Sequence, residues 1–388
     1  MEKFLLSPWF FSVVGVVCVI IFAIYFHEKK EAKRAVQAGK SSQDESGRHE
    51  TVFTNRPVPV VITEEPEEAV QEEVEPEEEE DEFPSEITAA EALAIITKDE
   101  KSIPEDVTVV GDLTIQDLAI PEHLDLRGVT FKGALRIIGV KVGADLDLER
   151  AVIEGDFEVR DVEVSGKIAD FSSTQVSGNV TISNVKVSGG EMKLDSSETE
   201  GDLLMENIEI ESTLSCEEMN VNGNVSLKKL KVNGYISLQQ ASFSADFTVE
   251  EVKNAGDFYM GGISVEGKTI FSNSTVGDEL KFDEDTKFSR VALFSEFSAN
   301  KFLAEGITAD EDFVVRKAEI SGSVDLESSN VSGHLRITES NVGLDLYLSE
   351  ATVEKSFDLT GTKVAGELRL SGANINELIG LSCGSLTF

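Results

Sequence analysis

The sequence predicts an all-β protein: a single right-handed parallel β-solenoid of about 22 residues per coil, preceded by an N-terminal transmembrane helix and a short capping helix. Three observations carry this. Apolar residues recur in pairs every eleven positions over most of the chain. The members of each pair lie two residues apart, the period of a strand, whose successive side chains point to opposite faces. The chain before the repeats holds one long apolar run and one dense acidic tract.

The first members of the pairs read Leu113, Leu124, Leu135, Leu146, Phe157 and Ile168, then slip to steps of twelve at Val180 and Met192. Steps of eleven resume through Leu203, Leu214, Val225, Ile236, Phe247 and Phe258. Thr269 is the one non-apolar place, and the series runs on through Leu280, Val291, Phe302, Phe313, Val324, Leu335, Leu346 and Phe357 to Leu368. Each partner two residues on is apolar as well, as in Ile115, Leu126 and Ile137; Asp170 breaks the pattern, with Phe171 beside it as a substitute. A second pair follows five and seven residues after the first, as at Val162 and Val164 or Leu230 and Val232. Glycine precedes many of the strands, as in Gly155-Asp156 and Gly223-Asn224, and is expected to supply the backbone angles of tight corners. Each eleven-mer therefore reads strand, corner, strand, corner, and no helical period fits it. A fixed short period over such a length is the mark of a solenoid. Two repeats are taken as one four-sided coil, with a three-sided coil of other length left open, and about twelve coils at the inter-strand spacing give a rod ~60 Å long. The repeat is weakest from Asp283 to Ala299, where a bulged coil or a small excursion is expected.

Residues 1–3 form a short tail. Residues 4–26 are apolar, with Trp9 near one end and Tyr25 and Phe26 near the other. That length suits one bilayer span, for which about 20 residues are needed, and aromatic residues favour its interfaces. A cleaved signal peptide is the alternative, but no small-residue cleavage site closely follows. Lys29, Lys30, Lys33 and Arg34 follow the span and Lys3 precedes it, so the positive-inside rule places the bulk of the chain in the cytoplasm. The expectation is a single-pass inner-membrane protein, with the opposite topology still open. Residues 27–84 read as a disordered acidic linker, dense in glutamate from Glu64 to Glu82, whose like charges keep it extended off an anionic membrane surface. Residues 85–106 read as capping helix and lead-in: a helix over Ser85 to Lys98, with Thr88 and Glu91 in capping-box form and Ile87, Leu93, Ala94 and Ile96 as its apolar stripe. Lying over the first coil, it would cover an unpaired edge. The solenoid is assigned to 107–388.

The formal charge of −39 excludes binding to a phosphate backbone. Cys18, Cys216 and Cys383 have no disulfide or zinc spacing and suit a reducing compartment. His27, His49, His123 and His334 are scattered, no phosphate loop opens a helix, and no serine pairs with a base in the sequence. The reading is not an enzyme, with no catalytic, metal-binding or cofactor-binding residues, no cofactor and no small-molecule substrate. The segment from Leu378 to Phe388 is nearly uncharged and has no capping helix. It is expected either to fold over the end as a plug or to receive a second molecule. Leu378, Ile379, Leu381, Leu386 and Phe388 are the candidate assembly surface.

The units Gly111-Asp-Leu-Thr-Ile115, Gly178-Asn-Val-Thr-Ile182 and Gly366-Glu-Leu-Arg-Leu370 resemble bacterial β-solenoid repeats. From Val107 to Leu370 the pattern resembles two families, bactofilins and pentapeptide-repeat proteins. The first likeness implies a polymer-forming, cytoskeletal β-helical core with disordered tails and a membrane tether. The second implies square coils with inward residues five apart. The period of eleven differs from both, since bactofilin coils are shorter and strict pentapeptides lack the sixth residue. The expected function is a membrane-anchored, non-enzymatic scaffold, bactofilin-like and capable of self-assembly, whose partners are the bilayer through 4–26 and a second copy or another protein. Two alternatives stand beside it: a binding module that docks a protein along the acidic rod, and an exported adhesin or envelope protein.

Overall fold

A computed structural model describes residues 83–98, 102–380 and 383–387; of 383–387 it describes the strand pairing alone. The expected tail, membrane span and nearly all of the linker lie outside the described residues. Among the described residues no helix is long and apolar enough to cross a membrane.

The eleven-residue period becomes a parallel β-solenoid of about 13 coils. One coil shows how. The strands Leu113–Gln116, Ala119–Ile120, Leu124–Asp125 and Thr130–Phe131 form four sides, and Leu135–Ile138 then stacks on the first side in parallel. Numbering the sides in that order, each eleven-mer supplies two of them. Inward residues Leu113, Ile115, Ile120, Leu124, Leu126, Val129 and Phe131 are all buried. The same columns then repeat, as in Val180, Leu203, Val225 and Phe247, joined rung by rung. Full burial of such a side chain contributes about 1.5–3 kcal/mol, so the rod is held by one continuous apolar column inside a main-chain ladder.

Two kinds of corner alternate, and they need different residues. The fourth position after each first inward residue turns the chain through the left-handed region: Asp117, Asp161, Asn184, Asn207 and Lys229 have φ between 52° and 55°. Asn and Asp tolerate this region best, yet Lys229, Glu218 and Arg150 adopt it too, held there by the ladders on either side. At most of the other corners glycine is required for space rather than for angle, which corrects the expectation, while Gly111, at φ 94° with open space around an added Cβ, still fits it. Gly201 and Gly223 are not left-handed; a Cβ on Gly201 would lie 2.6 Å from the carbonyl oxygen of Gly178, and one on Gly223 would lie 2.3 Å from that of Gly201.

In two places the inward register differs by one residue from the sequence reading. Leu146 stacks on Ala169 rather than Ile168, and Ala169 and Phe171 are the buried pair. The coil thereby gains its twelfth residue one half-repeat earlier. Likewise Thr269 stacks on Ala292, and the inward pair is Ala292 and Phe294, not Val291 and Leu293. One extra residue enters between Phe282 and Thr286, and one is lost between Ala299 and Phe302, so pairing continues without an excursion. The core adapts by alternating large and small. Phe282, Phe288, Phe294, Phe302 and Phe313 interlock with ring centroids 5.3–6.3 Å apart, beside Ala292, Ala299, Ala304 and Ala309.

At the N-terminal end, Glu86–Thr88 is a strand (β1) paired with Thr108–Val110, and the helix α1 spans Ala89–Thr97. The expected helix therefore begins four residues late, because Thr88 is its extended N-cap (ψ 159°). The capping box is present: the Glu91 N–H donates to Thr88 Oγ1 at 3.3 Å and the Thr88 N–H to Glu91 Oε2 at 2.8 Å. Ala92 and Ile96 are buried and Leu93 and Ile95 pack against the core, while Ala94 is exposed. On the second side of the first coil Pro121, which has no N–H, follows the edge strand Ala119–Ile120. At the other end Asn374–Ile379 pairs with Thr352–Asp358, and Cys383–Thr387 with Lys363–Arg369, all parallel. Those two strands continue the ladder.

Gly223→Ala is expected to lower unfolding stability by about 1–3 kcal/mol through overpacking. Lys229→Gly should stay within about 1 kcal/mol of the parent, since relief of left-handed strain offsets the added chain entropy. Urea denaturation followed by circular dichroism measures both; a Lys229→Gly loss larger than that of Gly223→Ala would reverse the two corner roles.

Candidate interaction surfaces

What the outside of the rod can do depends on which charges are already engaged by the fold. At the corner between the fourth and first sides, Asp156 Oδ1 accepts the Asn179 N–H (2.8 Å), Asn179 Oδ1 that of Asp202 (2.9 Å) and Asp202 Oδ1 that of Asn224 (2.7 Å). Asn224 and Asp246 continue the series to Lys268. Each oxygen takes the N–H of its counterpart one coil on. Part of the acidity is thus structural, and Asn serves equally at alternate rungs. The period-two pattern concealed this ladder; its one sequence signal was the Asp or Asn recurring after the corner glycine.

The third side carries a different column. Asp125 stacks on Asp147 and Asp147 on Asp170. Each Oδ1 also accepts the N–H two residues on, of Arg127 (3.2 Å), Glu149 (2.9 Å) and Ser172 (2.9 Å), which fixes the turn into the left-handed corner. Arg127 clasps Asp125 through Nε (3.0 Å) and Nη2 (2.7 Å), and this pairing holds its guanidinium strongly in the charged form. Partial burial raises the Asp147 pKa, and the neighbouring Asp170 carboxylate adds to the rise. A groove of about 460 Å³ opens here, lined in part by His123, Asp125, Arg127, Asp145 and Asp147. Among the described residues no group of three or more His, Cys, Asp and Glu is arranged to hold a metal ion.

The first side is close to charge-balanced. Arg136, Arg160, Lys228, Arg316 and Arg336 stand against Glu158, Glu206, Glu250 and Asp358, and Ile270, Leu293 and Val314 form a short apolar column along it. Farther along the third side, Tyr235 and Tyr259 meet edge to face at 6.0 Å, and the Tyr259 hydroxyl donates to Asp257 Oδ2 at 2.5 Å, which pushes its pKa up to about 12.

The sequence showed no serine beside a base, but the fold places His334 Nδ1 2.7 Å from Ser356 Oγ. Ser356 is 5% exposed, and Asp312 engages the His334 main-chain N–H and the Arg336 guanidinium rather than the imidazole. The pair keeps the Ser356 hydroxyl almost wholly out of solvent. Cys216 is wholly buried, and burial pushes its thiol pKa far up.

Of the candidate assembly residues, Leu378 is partly buried against the core and Ile379 is 38% exposed. Leu386 lies in the strand Cys383–Thr387, while Leu381 and Phe388 lie outside the described residues. The exposed Asn374 and Asn376, which the sequence reading passed over, stand on the same edge strand. That strand and Cys383–Thr387 pair on one side only among the described residues.

The chain matches no protein-family model, no curated protein and no solved structure. It is a β-solenoid repeat protein by its own geometry, and no match names either family whose repeats it resembles.

Asp147→Asn is expected to raise the melting temperature at neutral pH. An acid whose pKa is raised on folding loses stability as pH climbs from the ordinary carboxylate range through the raised value, and regains it on acidification. The gain should therefore shrink as pH falls through the raised value and be gone once pH lies below the ordinary carboxylate range. Melting curves at a series of pH values check this; a gain independent of pH would place the cause outside the carboxylate.

Proposed function

We propose that this protein is a membrane-anchored, non-enzymatic structural scaffold, right-handed in its winding and bactofilin-like in role, capable of self-assembly through its C-terminal edge. The observation that carries the reading is the contrast between the two ends of one rigid stack. At the first coil a helix packs over the core, a proline blunts the second side, and the edge on the fourth side is reduced to the three-residue strand β1, which opens on the exposed Glu86. At the last described coil two consecutive strands pair on one side only among the described residues. Open strand edges are templates for further strands. The apolar run of 4–26 supplies the anchor and the glutamate-rich stretch a spacer that holds the rod away from the bilayer. A continuous apolar core with its charges tied into ladders suits a part that keeps its shape under load.

A second reading, a module that docks a basic protein along the third side, draws on the Asp125–Asp147–Asp170 column. It is favoured if the rod stays single yet retains a stoichiometric basic protein. An exported adhesin would require the opposite topology.

Two measurements test the proposal. A cysteine placed in the linker at Ser41 should resist an impermeant thiol reagent in intact cells and react after lysis; strong labelling of intact cells reverses the topology and favours the exported form. Electron microscopy of the purified full chain in detergent should show rods ~60 Å long joined at their ends. Isolated rods at every concentration, unchanged by Ile379→Asp, would remove self-assembly.

A further inference from the structure

We propose that the C-terminal edge pairs with the same edge of a second copy about a two-fold axis, so that assembly closes at two rods joined tail to tail. This rests on the scaffold reading above and specifies its partner.

Three observations lead there. First, a head-to-tail stack needs a receiving edge on the first coil. There the fourth side ends in β1, which pairs on one side only among the described residues but is three residues long and opens on the exposed Glu86, while α1 packs over the core and Ser102 bridges Asp125 on the third side. On the second side Pro121 follows the edge strand. Second, copies of a chain with net charge −39 repel one another, so contact is least opposed where charge is sparse. From Asn374 to Thr387 the one charged residue is Glu377. Third, the edge strand is self-complementary. Two copies meeting at the same end run in opposite directions across the joint, so a two-fold pairs Asn374–Ile379 with itself in antiparallel fashion. A centre between Asn376 and Glu377 sets Ile375 against Leu378, Asn374 against Ile379 and Asn376 against Glu377. Ile375 and Leu378 are only partly buried although they pack against the core, and no further coil covers them among the described residues. The joint therefore covers open core with open core, sets an amide beside each Glu377 carboxylate, and places no like charges directly opposite. An isologous contact of this kind uses the surface up on both partners and closes.

The test is the mass of the full chain in detergent, by light scattering with the micelle contribution subtracted, over a concentration series. The expected result is a monomer–dimer equilibrium that tightens with added salt, as screening reduces repulsion. Asn374→Asp with Asn376→Asp adds four negative charges to the joint at nearly constant shape and should weaken it at least ~10-fold. Asn374→Lys with Asn376→Lys, mixed with the aspartate variant, should restore a mixed dimer. A monomer under all conditions overturns both this pairing and self-assembly. Mass that grows beyond two copies leaves self-assembly standing and overturns the two-fold closure. A two-copy mass indifferent to all of these substitutions places the contact elsewhere and overturns the proposed edge.

Discussion

Each coil rests on the last through parallel main-chain hydrogen bonds, and this constraint sets nearly everything else in the molecule. Because the bonds join residue to residue at a return of 21 to 23 positions along nearly the whole stack, any change in coil length must be absorbed before the next rung. The extra residue near Asp283 shows the rule at work: the chain carries it for less than one coil and then loses one before Phe302. A slip that persisted would turn every inward side chain outward, since the strand period is two. The Phe and Ala residues in that region are what one-residue freedom in the ladder requires of a packed core.

The sequence made the fold largely legible because the ladder and the core repeat with the same period. Wherever the inward pair was unambiguous, as at Leu203 and Met205 or Leu335 and Ile337, the reading and the structure agree. It failed where two adjacent residues were both apolar. Ile168 beside Ala169, and Val291 beside Ala292, offered the larger side chain as the natural inward choice, yet the neighbouring coil left room for the smaller. Volume in a stack is decided by the rung above and below, which a single line of sequence does not display. The glycine corners were found for the wrong reason in the same way. Gly223 looks like a turn residue, but the constraint on it is the Gly201 carbonyl one coil away.

The surface was less legible than the core because one residue type performs several tasks there. An aspartate may cap a main-chain N–H on the next coil, as Asp202 does, fix its own turn while stacking on other carboxylates, as Asp147 does, or simply face water. Composition counts these alike. Separating them lowers the share of the negative charge that is free to act on a partner and confines the remaining carboxylate column to the third side. The first side, with balanced charge and a short apolar column, was invisible in an overall charge of −39.

The two ends follow from the same ladder with opposite consequences. A stack of identical rungs has no internal reason to stop, so its ends must be managed by residues outside the repeat. At the first coil the sequence departs from the repeat to provide them: a capping box that starts a helix, a strand laid on the fourth side, a proline on the second. At the last described coil the repeat loosens, with register shifts against both preceding strands, but the strands continue and charge thins out rather than accumulating. Edge strands left exposed in isolation are commonly guarded by lysine or proline on the edge. Asn374–Ile379 carries neither, and its two inward apolar residues, Ile375 and Leu378, are left part-covered at positions where every earlier coil buries its own. An edge of that composition is consistent with burial in an assembly, and because a two-fold sets its inward Ile375 against Leu378 and an amide against its one carboxylate, a second copy is the partner that its chemistry fits.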